Sequence, residues 1–149
     1  MKASHTSVPG EAAQLPVLTR FLQDFCATAE LPPATTLPFE IALEEIFMNV
    51  VMHGSPAGRL AQVEVSLALS DDDLTLAVED DGPAFDPLAL PAPDVNAPLE
   101  ARRIGGLGVY FVRQMMDAVS YARAGPRNQL RMSKRVTRSD AAPAGTNPG

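Results

Sequence analysis

Three polar side chains recur at every fourth position of a segment that is otherwise apolar. They are Glu45, Asn49 and His53, in the run EEIFMNVVMHG that ends at Gly54. Residues four apart lie nearly above one another on a helix, so the three would share one face. A carboxylate can act as a general base, an amide oxygen can bind Mg²⁺, and an imidazole can contact phosphate or orient its neighbours.

Other interpretations of this helix stay open. For any one of the three residues alone, the solvated stripe of an amphipathic helix is the simpler explanation. The spacing also allows a zinc pair, but asparagine is a weak zinc ligand, so Mg²⁺ fits the set better.

Two more polar side chains fall where strand alternation predicts the interior. The apolar residues that set this alternation are Leu74, Leu76 and Val78 on one strand, and Leu130 and Met132 on another. Their parity turns Asp80 and Asn128 inward as well. A buried carboxylate is costly without donors, and the strand offers Asp80 no obvious partner. The amino group of a ligand would satisfy Asp80, and Gly82 would let a flat ring approach the backbone.

A glycine-rich segment opens the last predicted helix. Gly105, Gly106 and Gly108 would expose backbone N–H groups at the positive end of the helix dipole, where phosphate binds well. Glycines before a helix are more often only a turn, so this motif gains its weight from the other two.

Composition limits the class of protein. The chain has 149 residues, of which 46% are hydrophobic, which suits one domain with a real core. No apolar run approaches the roughly 20 residues that span a bilayer, and the N-terminus lacks the apolar segment of a secretion signal. The single Cys26 favours the reducing cytoplasm. A net charge of −6 argues against a general nucleic-acid binder, which needs a basic face.

Two helices are predicted before the first strand. The first covers residues 14–30. The second is expected to be capped by Thr36, to carry Pro38 in its first turn and to end at Gly54. Its predicted apolar face consists of Phe39, Leu43, Ile46, Phe47 and Val50.

Four strands and a third helix follow. The predicted strands are residues 61–69, 74–78, 119–123 and 128–136, and a turn at 70–73 joins the first two as a hairpin. The third helix, opened by the glycines, has a predicted apolar face of Leu107, Tyr110, Phe111, Met115 and Ala118. The order predicts an α+β fold, a two-layer sandwich of a mostly antiparallel sheet with helices on one face.

Two segments carry no periodic pattern. The Pro/Ala-rich residues 83–103 are long for a loop in a compact domain and suggest a lid or binding loop. The tail at residues 137–149 is rich in Ala, Pro and Gly and is predicted to be disordered, which leaves residues 1–136 as one domain.

The motifs together resemble the GHKL ATPase superfamily, whose fold is the Bergerat fold. Glu45-x-x-x-Asn49 resembles its N-box, VEDDGPAFD at residues 78–86 is similar to its adenine-binding box (DxGxG), and GGLG at residues 105–108 resembles its second glycine box. The short lid and the lack of a phosphoacceptor-histidine hairpin look most like bacterial anti-sigma factor serine kinases. The resemblance covers about residues 37–136, and three motifs in order are more specific than any one.

The resemblance implies a role for each matching residue. Asp80 would accept a hydrogen bond from the adenine amino group, Asn49 would hold Mg²⁺ at the phosphates, and Glu45 would take the proton of an attacking serine hydroxyl. The remaining nucleotide-binding positions would be His53, Gly82, Ala84, Gly105, Gly106, Gly108 and Asn128. Asn128 would close the adenine end, where the family more often has threonine.

One position departs from the family pattern. Ala84 stands where DxGxG has its second glycine. If the backbone there needed a positive φ, alanine would cost about 1 kcal/mol or more, so altered nucleotide contact is expected.

The resemblance also implies partners and cofactors. The expected activity is that of a Mg·ATP-dependent serine kinase that phosphorylates a STAS-domain antagonist and sequesters a sigma factor or similar target. A homodimer is expected, with no direct nucleic-acid or membrane partner. The alternatives are a nucleotide-binding module that acts by stoichiometric binding, and a detached ATPase domain of a sensor histidine kinase.

Overall fold

One antiparallel sheet organises the chain. A computed structural model describes residues 1–54, 59–89 and 107–136. The strands are β1 (Lys2–Pro9), β2 (Gln62–Ser70), β3 (Asp73–Asp80), β4 (Ala118–Ala124) and β5 (Arg127–Arg135). The helices are α1 (Leu15–Thr28), α2 (Pro33–His53) and α3 (Leu107–Met115), with single 3₁₀ turns at Ala12–Gln14 and Pro87–Ala89. The sheet order is β1-β2-β3-β5-β4, so the α+β prediction is confirmed.

The core lies between the helices and the inward face of the sheet. Inward side chains of β2, β3 and β5, among them Val65, Leu76 and Met132, form one buried cluster with α1 and α2. The predicted apolar face of α2 is confirmed, because all five of its residues are buried. This packing fixes α2 across the ends of the central strands, and the polar face of α2 then meets the inward polar residues of the sheet.

The N-terminal strand β1 was not predicted from the sequence. It pairs with β2 along its whole length, from Lys2 opposite Leu69 to Pro9 opposite Gln62. It is an edge strand whose inward positions are mostly polar, and Val8 alone among its residues is buried. Both faces of β1 are mostly polar, so its sequence has no alternation of apolar and polar residues, and the strand is recognised only from its pairing with β2.

Helix α2 begins earlier than predicted. Pro32 is the residue before its first turn, and Pro33 occupies the first helical position, where its missing N–H leaves no donor unsatisfied. Thr36 is therefore not the cap: it is buried inside the helix and its hydroxyl donates to the carbonyl of Pro32 at 3.3 Å. Pro38 lies within the helix rather than in its first turn.

Helix α3 turns a different face to the core from the predicted one. It is Val109 and Val112, with Met116 just beyond the helix, that are buried. Phe111 is 51% exposed, and Ala118 is not in the helix but opens β4. The segment LGVYFVRQMM is apolar on several sides, so its sequence does not distinguish between neighbouring helical faces.

Other boundaries agree with prediction to within two residues, with one loop only partly described. Glu30 has a φ of 60° and Asp71 a φ of 55°, at the end of α1 and in the β2–β3 turn. Of residues 83–103, those after 89 lie outside the described residues, as does the tail at 137–149, so the single-domain boundary stays a prediction. Within the described ranges, no helix combines the length and apolarity needed to cross a bilayer.

Candidate functional site

Asp80 is buried at the end of β3, as its parity predicted. Its residue is only 6% exposed, and it lies opposite Asn128 of β5. The Nδ2 group of Asn128 donates to Asp80 Oδ1 at 3.0 Å, and the backbone N–H of Gly82 donates to the same oxygen at 2.9 Å. Asp80 therefore already has two donors within the protein, one from the neighbouring strand β5 and one from the backbone just after β3.

Asn128 uses its whole amide within the protein. Besides Asp80, its Nδ2 group donates to the carbonyl of Pro83 at 2.8 Å. Its Oδ1 accepts from the backbone N–H of Phe85 at 3.2 Å and from the hydroxyl of Tyr121. Two donors and two acceptor sites are all an amide side chain has, so Asn128 is saturated and ties the segment after Asp80 to the sheet.

Asn49 of α2 faces the same cavity as Asp80. Its Nδ2 atom is buried and has no hydrogen-bond partner among the described residues. The cavity is lined by Ile46, Asn49, Val50, Val78, Asp80, Phe85, Pro87, Tyr121, Asn128 and Leu130. An orphaned N–H donor in a buried wall costs roughly 1–3 kcal/mol, so it points to an acceptor on a ligand or a water that would satisfy it.

The cavity is small in this conformation. Its free volume is about 20 Å³, enough for about one water molecule. Phe85 and Pro87 form part of its wall, and both belong to the segment that follows Asp80. A bound purine ring therefore requires this segment to move outward.

Glu45 lies one turn before Asn49 and touches the start of α3. A Cβ atom added to Gly108, the second residue of α3, would overlap the Glu45 carboxylate. The lack of a side chain at Gly108 is what admits the carboxylate. Burial, and to a lesser extent the charge of Glu44, raises the pKa of Glu45 above the ordinary value for glutamate.

His53 sits at the rim, in the last turn of α2. Its exposed ring stacks on Phe85, with ring centroids 5.1 Å apart and 29° between the planes. It thus contacts the side chain that covers the cavity. Gly105 and Gly106 lie outside the described residues, so their predicted place beside the phosphates stays a prediction.

Ala84 shows no sign of backbone strain. It is exposed, and the described non-glycine residues with a left-handed φ are Glu30 and Asp71 alone. The cost expected for alanine at this glycine position therefore does not arise in this conformation.

Gly82 is the glycine of this segment that packing requires. A Cβ added to it would overlap the carbonyl oxygen of Gly54, at the end of α2. The close approach brings the polar face of α2 next to the end of β3. No three His, Cys, Asp or Glu residues of the described ranges lie together as a metal cluster, and the assignment of Mg²⁺ to Asn49 stays a prediction.

Gly82→Ala should destabilise the fold by about 1–3 kcal/mol, because backbone atoms of Gly54 cannot yield as a side chain would. Urea unfolding followed by circular dichroism measures the change. Ala84→Gly is the matched control in the same segment and should cost less than about 1 kcal/mol. Equal stabilities for the two variants would show that Gly54 and Gly82 do not approach so closely.

Some residues of the site escaped the sequence analysis. Tyr121 and Arg123 share the inward parity of Val119 on β4, and Arg123 donates to the carbonyl of Gly82 at 2.8 Å. The parity rule that found Asp80 and Asn128 would have found both. Phe85 and Pro87 carry no such signal, because they lie in a segment without periodicity.

The chain belongs to the family of histidine kinase-like ATPase domains. The family model matches residues 8–134, which include the three described helices, strands β2–β4, β5 except its last residue, and every predicted site residue. The resemblance drawn from the three motifs is thereby confirmed at the level of the family.

Relatives within this family include named protein kinases. The chain is 28% identical over 93 residues to the serine/threonine-protein kinase BtrW of Bordetella bronchiseptica, covering 62% of this chain and 66% of that protein. It is 31% identical over 84 residues to the serine-protein kinase RsbW of Listeria monocytogenes, covering 54% of each. The chain thus spans between about half and two thirds of the curated relatives it matches.

A solved structure shares the fold. The RsbU and RsbW domains of Rv1364c from Mycobacterium tuberculosis superpose with a TM-score of 0.67 at 13% identity, covering 91% of this chain and 33% of that one. Identity this low supports a shared fold and nothing finer.

Proposed function

We propose that this chain is a Mg·ATP-dependent serine kinase of the anti-sigma type. The observation that carries the proposal is the unpartnered, buried amide of Asn49, which faces a cavity that also exposes Asp80. The kinase names of the relatives from Bordetella and Listeria support the reaction class.

Asp80 is suited to hold the amino group of adenine. Among the residues that the structure describes, both donors to its carboxylate reach Oδ1, which leaves Oδ2 for a ligand N–H. The apolar walls formed by Ile46, Val78 and Leu130 suit the faces of a purine ring.

Asn49 is suited to hold the metal. The oxygen and nitrogen of an amide exchange places by rotation of the side chain, so the orphaned position can present either atom. Presenting Oδ1 would give Mg²⁺ one protein oxygen, and phosphate oxygens and water would supply the others. When Mg·ATP is bound, ATP would supply the phosphoryl group and Mg²⁺ would neutralise part of the negative charge of the phosphates.

Glu45 is suited to hold the serine proton. Glu45 lies one turn before Asn49 on α2, and an ionised carboxylate there can accept the hydroxyl proton as phosphate is transferred. Gly108 keeps this carboxylate against the positive end of α3, where phosphates would also be stabilised.

The partners are proposed from the relatives and the motifs. A STAS-domain antagonist phosphorylated on serine, a sequestered sigma factor or similar target, and a homodimer in the cytoplasm together form the partner-switching circuit that anti-sigma kinases serve. RsbW of Listeria, a serine-protein kinase, is the type of relative that suggests this circuit.

The test is phosphotransfer from γ-labelled ATP to candidate STAS-domain proteins. We expect acid-stable label on serine of the STAS protein. Acid-labile label would identify a histidine kinase domain instead, and tight partner binding without label would identify a binding module.

Asn49→Ala should weaken the dependence of ATP binding on Mg²⁺. The affinity with Mg²⁺ should fall about tenfold or more, while the affinity in excess EDTA stays nearly unchanged, because only the metal-linked contact is lost. Calorimetric titration of ATP with and without metal measures both. Gln129→Ala removes an amide from the opposite face of the sheet and should alter neither. An unaltered metal titration in Asn49→Ala would reassign the ligand.

A further inference from the structure

One cross-strand row joins three polar residues at the edge of the cavity. Asp80 on β3 lies opposite Asn128 on β5, and Asn128 lies opposite Arg123 on β4. Neighbours in register across a sheet point to the same face, so all three side chains are turned toward the helices. Arg123 is the one of the three that no motif includes.

Arg123 reaches the segment that follows Asp80. Its Nη1 atom donates to the carbonyl oxygen of Gly82 at 2.8 Å in a partly buried hydrogen bond. The backbone N–H of Gly82 in turn donates to Asp80 Oδ1. One glycine therefore connects the guanidinium of Arg123 to the carboxylate that faces the cavity.

The hairpin of β4 and β5 holds this segment at three backbone groups between Gly82 and Phe85. Arg123 binds the Gly82 carbonyl, and Asn128 binds the Pro83 carbonyl and the Phe85 N–H. The segment from Asp81 to Asp86 has no strand or helix of its own. Its shape beside the cavity thus depends on these side-chain tethers.

The tether at Gly82 has a specific consequence for Asp80. A glycine without restraint samples more backbone conformations than any other residue. Fixing its carbonyl limits the orientations of its own N–H, and that N–H selects which carboxylate oxygen of Asp80 is occupied within the protein. The other oxygen is then held ready for a ligand donor.

We propose that Arg123 is a positioning residue for nucleotide binding, which acts through Gly82 to fix Asp80 and never touches the ligand. The proposal rests on the proposed ATP-dependent function. It assigns to Arg123 an effect on ground-state affinity and none on phosphoryl transfer itself.

The test compares ATP affinity and kinetics in Arg123→Gln, Arg123→Lys and the wild type. A charge-assisted hydrogen bond to a carbonyl is lost in the glutamine variant, so we expect Kd and KM for ATP to rise about 5- to 10-fold with kcat within about twofold. Lysine retains a cationic donor and should restore most of the affinity. The melting temperature should change by less than about 2 °C.

Arg131→Gln is the matched control, because Arg131 lies on β5 of the same hairpin, exposed on the opposite face of the sheet. It should leave all four quantities unchanged. An unchanged Kd in Arg123→Gln, or a fall in kcat as large as the rise in KM, would overturn the positioning role while the kinase proposal stands. A wild type that fails to bind ATP would overturn both.

Discussion

Asp80→Asn should lower the affinity for ATP at least about 100-fold. The carboxylate accepts from Asn128 and Gly82 at Oδ1, and the asparagine carbonyl would take that place to keep both bonds. Its NH₂ group would then take the place of Oδ2, the oxygen that we propose accepts from the ligand. A donor would confront the amino group of adenine, so one charged hydrogen bond is lost and one buried donor is left unpaired, each worth roughly 1.5–3 kcal/mol.

The fold should survive this change. Asparagine is nearly isosteric with aspartate and retains both internal hydrogen bonds, so we expect the free energy of unfolding to change by less than about 1 kcal/mol. Calorimetry of ATP binding, with thermal unfolding on the same samples, separates loss of affinity from loss of structure.

Asp81→Asn is the control, since it makes the same substitution one residue on, in a side chain that points elsewhere. Asp81 accepts from the backbone N–H of Gln62 at 2.8 Å and forms an ion pair with Arg59 at 3.1 Å. Burial alone would raise the pKa of Asp81, but the Gln62 N–H and Arg59 outweigh it and hold the pKa below its usual value. ATP affinity should be unaltered here. Equal losses of ATP affinity in the two variants would exclude Asp80 as the specific acceptor for the adenine amino group.

The sequence was most informative where residue type conflicted with position. Asp80 and Asn128 are polar side chains at inward strand positions, and the conflict located the cavity before any contact was known. The same rule applied to β4 would have added Arg123. Helix spacing placed Glu45 and Asn49 on one face of α2. In the structure the Glu45 carboxylate lies against the start of α3, and Asn49 lies in the cavity wall.

Features that depend on packing against another element of the chain could not be predicted from the sequence. Strand β1 exists because β2 offers an edge, and its own polar alternation does not predict it. The buried face of α3 is set by the core it meets, since its sequence is apolar on several sides. The covering of the cavity by Phe85 results from tethers to β4 and β5, which come more than 30 residues later in the chain.

Glu45→Gln should reduce kcat for phosphotransfer by about 100- to 10,000-fold while the Kd for ATP changes less than about threefold. General-base catalysis contributes on that scale, and glutamine keeps the size of the side chain while losing the ability to accept a proton. The wild-type rate should rise with pH through an acid limb whose midpoint lies above the usual pKa of glutamate, since burial raises the pKa of Glu45.

The raised pKa of Glu45 also predicts how the stability of Glu45→Gln compares with that of the wild type. The folded-state pKa of Glu45 is raised above its unfolded value, so its contribution to stability is full below the unfolded pKa and is lost as the pH rises through the folded pKa. Above the folded-state pKa the ionised, half-buried carboxylate therefore disfavours the fold. Glu45→Gln should be at least as stable as the wild type in that pH range, and lost activity cannot then be ascribed to unfolding.

Glu44→Gln tests the origin of the raised pKa, because Glu44 is the exposed neighbour whose charge helps to raise the pKa of Glu45. Removing the Glu44 charge should leave the plateau rate unchanged and move the acid limb of the pH–rate profile to lower pH. Gly108→Ala should lower the plateau rate, since the new Cβ displaces the Glu45 carboxylate from the start of α3. Full phosphotransfer by Glu45→Gln would exclude Glu45 as the base and leave transfer to positioning alone.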